Sequence, residues 1–355
     1  MFRQAQSRSG QTGFCLGKKV LTPIEGGPSY SVTPCGRGAG APTQGAGSFD
    51  IVTACRRKDL GTLQKAHPLL QKFIPHRRLI VFTARPNLSL FRAKLGSFVE
   101  ILDEDKVVPG MTLEKLRREG QLPGFPAGAG WYFQQFLKLS YPLLEPQAKR
   151  YLIWDADTLP LRPIQPFSES GEAHLVGVTE DCAQPLGDVS ADEKTRELLR
   201  RATRPHAPYF DNYEHLLGEA ADPNQSFISQ HMAIQVECLK QLLSVIENRW
   251  PGRDGWAWKI VRNLRGRDAN LFSEYEFYAH YALRHFPAQH KIQTLSWRRG
   301  GRLLPGAKGQ NQLREWSKQF DFVALEAWIS PWRRMLVRAY LGLPESVRRW
   351  FRQGV

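Results

Sequence analysis

The chain of 355 residues has no apolar run of about 18 residues, so no membrane-spanning helix is expected. Its first residues lack the apolar core of about 7–15 residues that a secretory signal carries, which argues against export by that route. Cysteine is sparse and unpatterned. The five present (Cys15, Cys35, Cys55, Cys182 and Cys238) are odd in number, scattered, and form no CxxC. That usage fits reduced thiols in a cytosolic protein better than a disulfide framework. Zinc-finger spacing and an RRM-type aromatic motif are also missing, so nucleic acid is not an expected partner. Internal repeats are absent. Acid is in short supply too, with 34 Asp+Glu against 49 Lys+Arg, a net charge of +15. A surplus of that size favours anionic partners such as nucleotide phosphates or acidic lipid head groups.

Residues 1–47 are rich in Gly, Ser, Pro, Gln and Thr without periodicity, and read as a disordered segment. A single folded domain is expected over 48–328. Phe49–Cys55, Arg78–Thr83 and Phe98–Leu102 read as strands, with helical patterns from Leu60 to Phe73 and from Leu88 to Leu95 between them. That alternation predicts βαβ units, a mostly parallel sheet flanked by helices, and the α/β class. A Gly/Pro loop, Gly124 to Gly130, leads into a helix. Its stripe of Phe133, Phe136, Leu137 and Tyr141 faces the core, and Trp131, Gln134, Gln135 and Lys138 share a second face. Further strands are expected at His174–Thr179, Phe227–Gln235, near Lys291–Leu295 and at Phe322–Leu325. Residues 185–225 read as a polar insertion over the site, and helices are expected over Cys238–Ile246 and Glu274–Arg284.

The most apolar of these strands, Tyr151–Trp154, runs into Asp155-Ala156-Asp157 and then Thr158-Leu159-Pro160. Four apolar residues without a polar break suit a strand buried on both faces. In extended chain, residues two apart point to one side, so the two carboxylates are candidates to hold one hard cation, Mn²⁺ or Mg²⁺. Ligands of open α/β sheets bind beyond the carboxyl ends of the strands, where this pair sits. Spacing alone does not decide, because Asp103-Glu104-Asp105 also follows a strand-like run. That segment, with Glu100 and Lys106, looks solvated, whereas a carboxylate against Trp154 needs partners. Ser273 followed by Glu276 is a capping box with Phe272 and Phe277 as hydrophobic staple, a complete structural account of Glu276.

Tyr151–Pro163 resembles the DxD segment of GT-A glycosyltransferases. Gly130–Leu139, Ser229–Met232 and Phe272–Tyr278 lie in the expected order. Together the four segments resemble a bacterial family of uncharacterised domains placed among the GT-A glycosyltransferases. The resemblance covers roughly residues 48–300. It implies a GT-A-like sheet and a metal-dependent enzyme moving a sugar from a nucleoside-diphosphate donor to an acceptor hydroxyl, on a glycan or a lipid-linked acceptor. It implies Asp155 and Asp157 as metal ligands, with His231 completing the shell and His280 its rival. Thr53, Cys55 and Arg56 at the end of the first strand would lie near base and ribose, and Arg56, Arg57 and Lys58 would be placed to meet the phosphates. Gln134, Gln135 and Lys138 become candidate phosphate or sugar contacts. Asp181, beside Glu180, is a second sugar-contact candidate, and Glu274 is the candidate base. A nucleotidyl- or phosphotransferase using the same metal–aspartate site, and a glycan- or membrane-binding module without catalysis, are the alternatives.

The tail, 329–355, mixes aromatics with arginines from Trp332 to Arg352 and is expected to be a basic amphipathic helical extension. Such segments lie on anionic membrane surfaces or pack on their own domain. The expected location is cytoplasmic, with a peripheral association at the inner membrane face if the tail docks there.

Overall fold

A computed structural model of the protein describes residues 49–120, 128–178, 207–266, 270–299 and 310–325. In chain order, β1 (Asp50–Ala54), α1 (Leu60–Phe73), β2 (Leu79–Thr83), α2 (Leu88–Leu95) and β3 (Val99–Asp103) form two βαβ units. Next come α3 (Leu113–Glu119), α4 (Ala129–Leu139), α5 (Tyr141–Leu144), β4 (Arg150–Trp154), β5 (Thr158–Pro160) and β6 (Ala173–Val176). The rest comprises α6 (Ala207–Leu217), β7 (His231–Gln235), α7 (Val236–Arg249), α8 (Trp256–Asn263) and α9 (Glu274–His285). β8 (His290–Gln293), β9 (Trp297–Arg298), α10 (Gln310–Ser317) and β10 (Phe322–Ala324) complete it.

The main sheet has the order β3-β2-β1-β4-β7, with the first four strands parallel and β7 antiparallel to β4. The protein is therefore α/β with a mostly parallel central sheet flanked by helices. Its inner strands β2, β1 and β4 are largely apolar on both faces, and alternation divides their side chains between two cores. Val52, Ile80, Phe82, Tyr151 and Ile153 join residues of α4, α7, α8 and α9. Ile51, Leu79, Val81, Leu152 and Trp154 join α1, α2 and the small sheet β5-β10-β9. Each large apolar side chain buried this way contributes about 1.5–3 kcal/mol, so the sheet is clamped from both sides.

Parallel strands place the ends of β1, β3 and β4 on one edge, and β7 starts there. The opposite edge is closed by charge. Asp50, fully buried, accepts from Arg77 Nε at 2.7 Å and Nη2 at 2.8 Å, from Arg78 Nε at 2.8 Å and from the Tyr141 hydroxyl at 2.6 Å. Burial pushes the Asp50 carboxyl up, but bonds from Arg77, Tyr141 and Arg78 outweigh it and hold the group below its ordinary value.

Several expectations change. The strand at 174–179 forms as β6 but leaves the main sheet and pairs in parallel with β8. The strand expected over 227–235 starts only at His231, because Gln230 turns the chain with φ 65°. The polar insertion contains α6, and α8 was not anticipated. The capping box forms in half: Ser273 accepts from the Glu276 N–H at 3.4 Å, while the Glu276 carboxylate accepts from Ser226 Oγ at 2.6 Å and Phe227 N at 3.1 Å. The staple is present, with Phe272 and Phe277 rings 5.0 Å apart. Cys55 and Cys238 are buried free thiols. The segments 1–47 and 329–355 and the boundary at 328 lie outside the described residues. Among the described residues no helix is long and apolar enough to cross a membrane.

Candidate functional site

The turn after β4 carries the two aspartates. Thr158 N donates to the Asp155 carbonyl at 3.0 Å and Trp154 Nε1 to the Thr158 carbonyl at 2.9 Å, so Ala156 and Asp157 are central residues of a tight turn. The turn, not strand alternation, therefore sets where the two carboxylates point. Leu325 N donates to the Asp157 carbonyl at 2.7 Å and anchors the turn beside β10.

Lys138 reaches this turn from α4. Its ammonium donates to Asp155 Oδ1 and, at 2.8 Å, to Glu274 Oε1, with 1% of its side chain exposed. Asp155 is 18% exposed and Glu274 5%, so the triad is buried at Lys138 and opens at Asp155. Burial disfavours the Lys138 charge, yet Asp155 and then Glu274 outweigh it and raise its pKa above the ordinary lysine value. Burial raises the Glu274 carboxyl; Lys138 opposes that rise and Asp155 adds to it. Gln135, one turn before Lys138, accepts from the Glu274 N–H at 2.8 Å and donates to the Trp131 carbonyl at 3.2 Å, which fixes the start of α9. The Lys138 ammonium also lies 5.1 Å from the centre of the Tyr275 ring. The face of α4 bearing Gln135 and Lys138 is thus buried against the sheet edge; Gln134 on the same face is half-buried.

Asp155 has a second partner. With the Gln230 amide oriented to suit its neighbours, its nitrogen donates to Asp155 Oδ2 at 3.2 Å and its oxygen accepts from Arg299 Nη2 at 3.0 Å.

The remaining predicted residues sit around this cluster. Burial, then Asp59 and Asp157, push the Cys55 thiol well above its ordinary value, so the Asp157 charge bears on the end of β1. Thr53 is buried inside β1, and its hydroxyl has no hydrogen-bond partner. Arg56 is exposed, and its guanidinium passes over the first turn of α4. A Cβ on Gly130 would stand 1.9 Å from Arg56 Nη2, the far end of a flexible side chain, so a larger residue there would push the guanidinium aside. His231 is buried against Trp154 and Phe322, with ring centroids 5.0 and 4.9 Å away. Its Nδ1–H donates to the Ser229 carbonyl at 3.1 Å, while its Nε2 is buried without a partner. Burial pushes its pKa down to about 4, so the ring is neutral at neutral pH. His280 lies elsewhere, on α9, with its ring among Phe210, Tyr213 and Phe227 and its Nε2 3.4 Å from Glu276. Asp181 and Glu180 lie outside the described residues.

Three participants were not foreseen. Tyr275 and Gln230 touch the triad, and Glu104 stands at the same edge beyond β1 and β2. Burial, then Asp105, push Glu104 up to about 7, with Arg56 opposing, so the Asp103-Glu104-Asp105 segment is less solvated than its composition suggests. Tyr275 was visible as an aromatic beside Glu274; Gln230 lies in the Ser229–Met232 segment of the resemblance, but inside the strand expected over 227–235, where no role was read for it.

No protein-family model matches the chain, and no curated protein matches it. Among solved structures it is similar to the apo form of mouse xyloside xylosyltransferase 1, at 10% identity and TM-score 0.40, over 80% of this chain and 99% of that one. It is also similar to an active-site mutant of LgtC, at 12% identity and TM-score 0.39, over 84% of this chain and 99% of that one. Likenesses at that level say nothing about ligands or reaction.

Proposed function

We propose that the protein is a glycosyltransferase that moves a sugar from a nucleoside-diphosphate donor to an acceptor hydroxyl. One observation carries the reading. The four segments that resemble the GT-A-related family supply Lys138 with Gln135, Asp155, Gln230 and Glu274, and these residues join in one hydrogen-bonded cluster at the carboxyl edge of the sheet. Segments up to 139 residues apart in sequence meet there. Open α/β sheets bind ligands at this edge.

The donor set suits a divalent cation that takes most of its shell from substrate oxygens. Asp155 is partly exposed, Asp157 lies in the same turn, and among the described residues no third His, Cys, Asp or Glu is grouped with them. In this reading Asp155 and Asp157 hold Mn²⁺ or Mg²⁺, which when bound stabilises charge on the leaving diphosphate. His231 offers an unpartnered Nε2 but presents its ring to Trp154 and Phe322, which favours a structural role.

The chain's own groups do the rest. Arg56, whose guanidinium lies beside Gly130 at the amino end of α4, puts a positive charge where the helix dipole also favours an anion, a suitable seat for phosphate. Lys138 keeps Asp155 and Glu274 from repelling each other and fixes both oxygens that hold it. Glu274, anchored through its main-chain N–H by Gln135, is the acid assigned to orient the acceptor hydroxyl and take its proton. A lipid-linked or surface glycan, reached from the inner membrane face, is the acceptor class that the basic aromatic tail supports. Vesicle sedimentation of the full chain against one ending at Ser330 tests that part, and equal partitioning ends it.

Titration calorimetry with UDP, with and without Mn²⁺, tests the main reading. The expected result is metal-dependent binding that Asp157→Ala removes. Absence of UDP binding by the intact protein under either condition overturns it, and release of pyrophosphate from a nucleoside triphosphate points to nucleotidyl transfer instead.

A further inference from the structure

We infer that Gln230 is a positioning residue of this site, setting the Asp155 carboxylate and, through it, the Lys138–Glu274 pair; the inference deepens the transferase reading and rests on it. Gln230 is the only non-glycine with positive φ among the described residues, at 65°. That conformation costs a side-chain-bearing residue energy that glycine would not lose, and asparagine less of it. Strain of this kind persists where the surroundings over-determine it, and it gathers at functional sites.

The surroundings here do over-determine it. The Gln230 carbonyl accepts from the Asp155 N–H at 2.9 Å, one step past the last β4–β7 pair, Trp154 with His231. Its amide then spans Asp155 Oδ2 and Arg299 Nη2. Arg299 is itself oriented, with Nη2 donating to the Ile228 carbonyl at 3.2 Å and the guanidinium 5.5 Å from the Trp297 ring centre. The chain of contacts runs Arg299, Gln230, Asp155, Lys138, Glu274: cation, amide, anion, cation, anion. An amide suits the second place, because it accepts from a guanidinium and donates to a carboxylate at once. A glutamate would satisfy Arg299 and repel Asp155. With Lys138 on Oδ1 and Gln230 on Oδ2, the plane of the Asp155 carboxylate is fixed on both sides. Release of one side lets the carboxylate turn, and Lys138 and Glu274 turn with it.

Gln230→Asn separates this role from a structural one. Asparagine keeps the amide and tolerates left-handed backbone better, but it is one methylene too short to bridge. The expected result is a thermal midpoint equal to or above that of the wild type. Meanwhile kcat for donor consumption, read as UDP released from UDP-hexoses with Mn²⁺ present, falls about tenfold or more, as it does when a group orienting an active-site ligand is lost. The donor KM changes less than kcat. Gln230→Gly, which also relieves the backbone, behaves alike. Unchanged turnover in both variants overturns the inference, and so does a parallel fall of midpoint and turnover, which marks a purely structural residue. If the wild type neither binds UDP nor consumes any donor, the transferase reading fails. A crystal structure of Gln230→Asn then still decides: a rotated Asp155 carboxylate upholds the positioning role, and an unmoved Asp155–Lys138–Glu274 triad overturns it.

Discussion

The two ends of the same parallel strands each carry a buried cluster of charge, and the clusters are composed in opposite ways. At the amino edge one carboxylate, Asp50, meets two guanidinium groups and a phenol, so its charge is more than matched and all its bonds are internal. Arg77 and Arg78 pass the surplus on to Glu145 and Glu100 at the surface. At the carboxyl edge one ammonium, Lys138, is shared between two carboxylates, Asp155 and Glu274, and Arg299 reaches Asp155 through the Gln230 amide. Asp155, at the mouth, keeps partial exposure. A cluster centred on a fully buried carboxylate holds a fold together; one whose carboxylate stands partly exposed at the mouth can also meet a ligand. The sheet thus has a closed end and an open one, and the candidate site is at the open one.

Asp50→Ala should give the largest loss of stability. It strips the shared acceptor from two partly exposed arginines and from Tyr141, and several hydrogen bonds to a buried charge, each worth about 1.5–3 kcal/mol, are lost together. Urea denaturation should show this loss, while UDP binding below the melting range stays unchanged. A loss under about 1 kcal/mol would erase the distinction between the two edges.

A pH scan separates the edges next. His231 titrates at 6.5 unfolded and about 4 folded, so the neutral ring is favoured in the fold. Its contribution is complete above pH 6.5 and is lost as pH falls towards 4, because only the unfolded chain takes up the proton in that window. The loss should be about 3 kcal/mol in the wild type and absent in His231→Gln. Asp50 behaves otherwise. Its folded pKa is depressed, so its contribution is complete above the unfolded value of about 3.9 and is lost only as pH falls below that. Acid sensitivity should therefore appear first at the carboxyl edge and later at the amino edge; equal slopes in wild type and His231→Gln between pH 6.5 and 4 would contradict this.

Glu145→Gln should have the smallest effect. Its carboxylate sits at the rim, partly exposed, against arginines already held by Asp50. A change within about 1 kcal/mol in denaturation is expected; a larger one would mean that Asp50 is not the organising charge of its cluster.

Much of this was legible in the sequence, for identifiable reasons. β2 and β4 announce themselves because strands buried on both faces read as near-continuous apolar runs. Gln135 and Lys138 share a face by helical spacing, and that face indeed meets Asp155 and Glu274. Burial was not legible: the same spacing describes a solvated face, and only the closeness of α4 to the sheet edge makes Lys138 a core cation. The position of His231 beside a strand was readable, but the side its ring takes depends on the chain turn at Gln230. That turn is invisible in sequence because the residue is neither Gly nor Asn. Asp103-Glu104-Asp105 looked solvated by composition, yet parallel pairing of β3 with β2 carries it to the open edge, where Glu104 is half-buried.

The difference between the edges is tested most directly by titrating UDP in the presence of Mn²⁺ into the wild type, Lys138→Met and Asp50→Asn, with thermal midpoints measured on the same samples. The expected result is a crossed pattern. Asp50→Asn lowers the midpoint and keeps the wild-type affinity, whereas Lys138→Met weakens UDP binding about tenfold or more beyond any change its midpoint explains. If both variants lose stability and affinity in the same proportion, or Lys138→Met binds UDP as the wild type does, the carboxyl edge is not the ligand site.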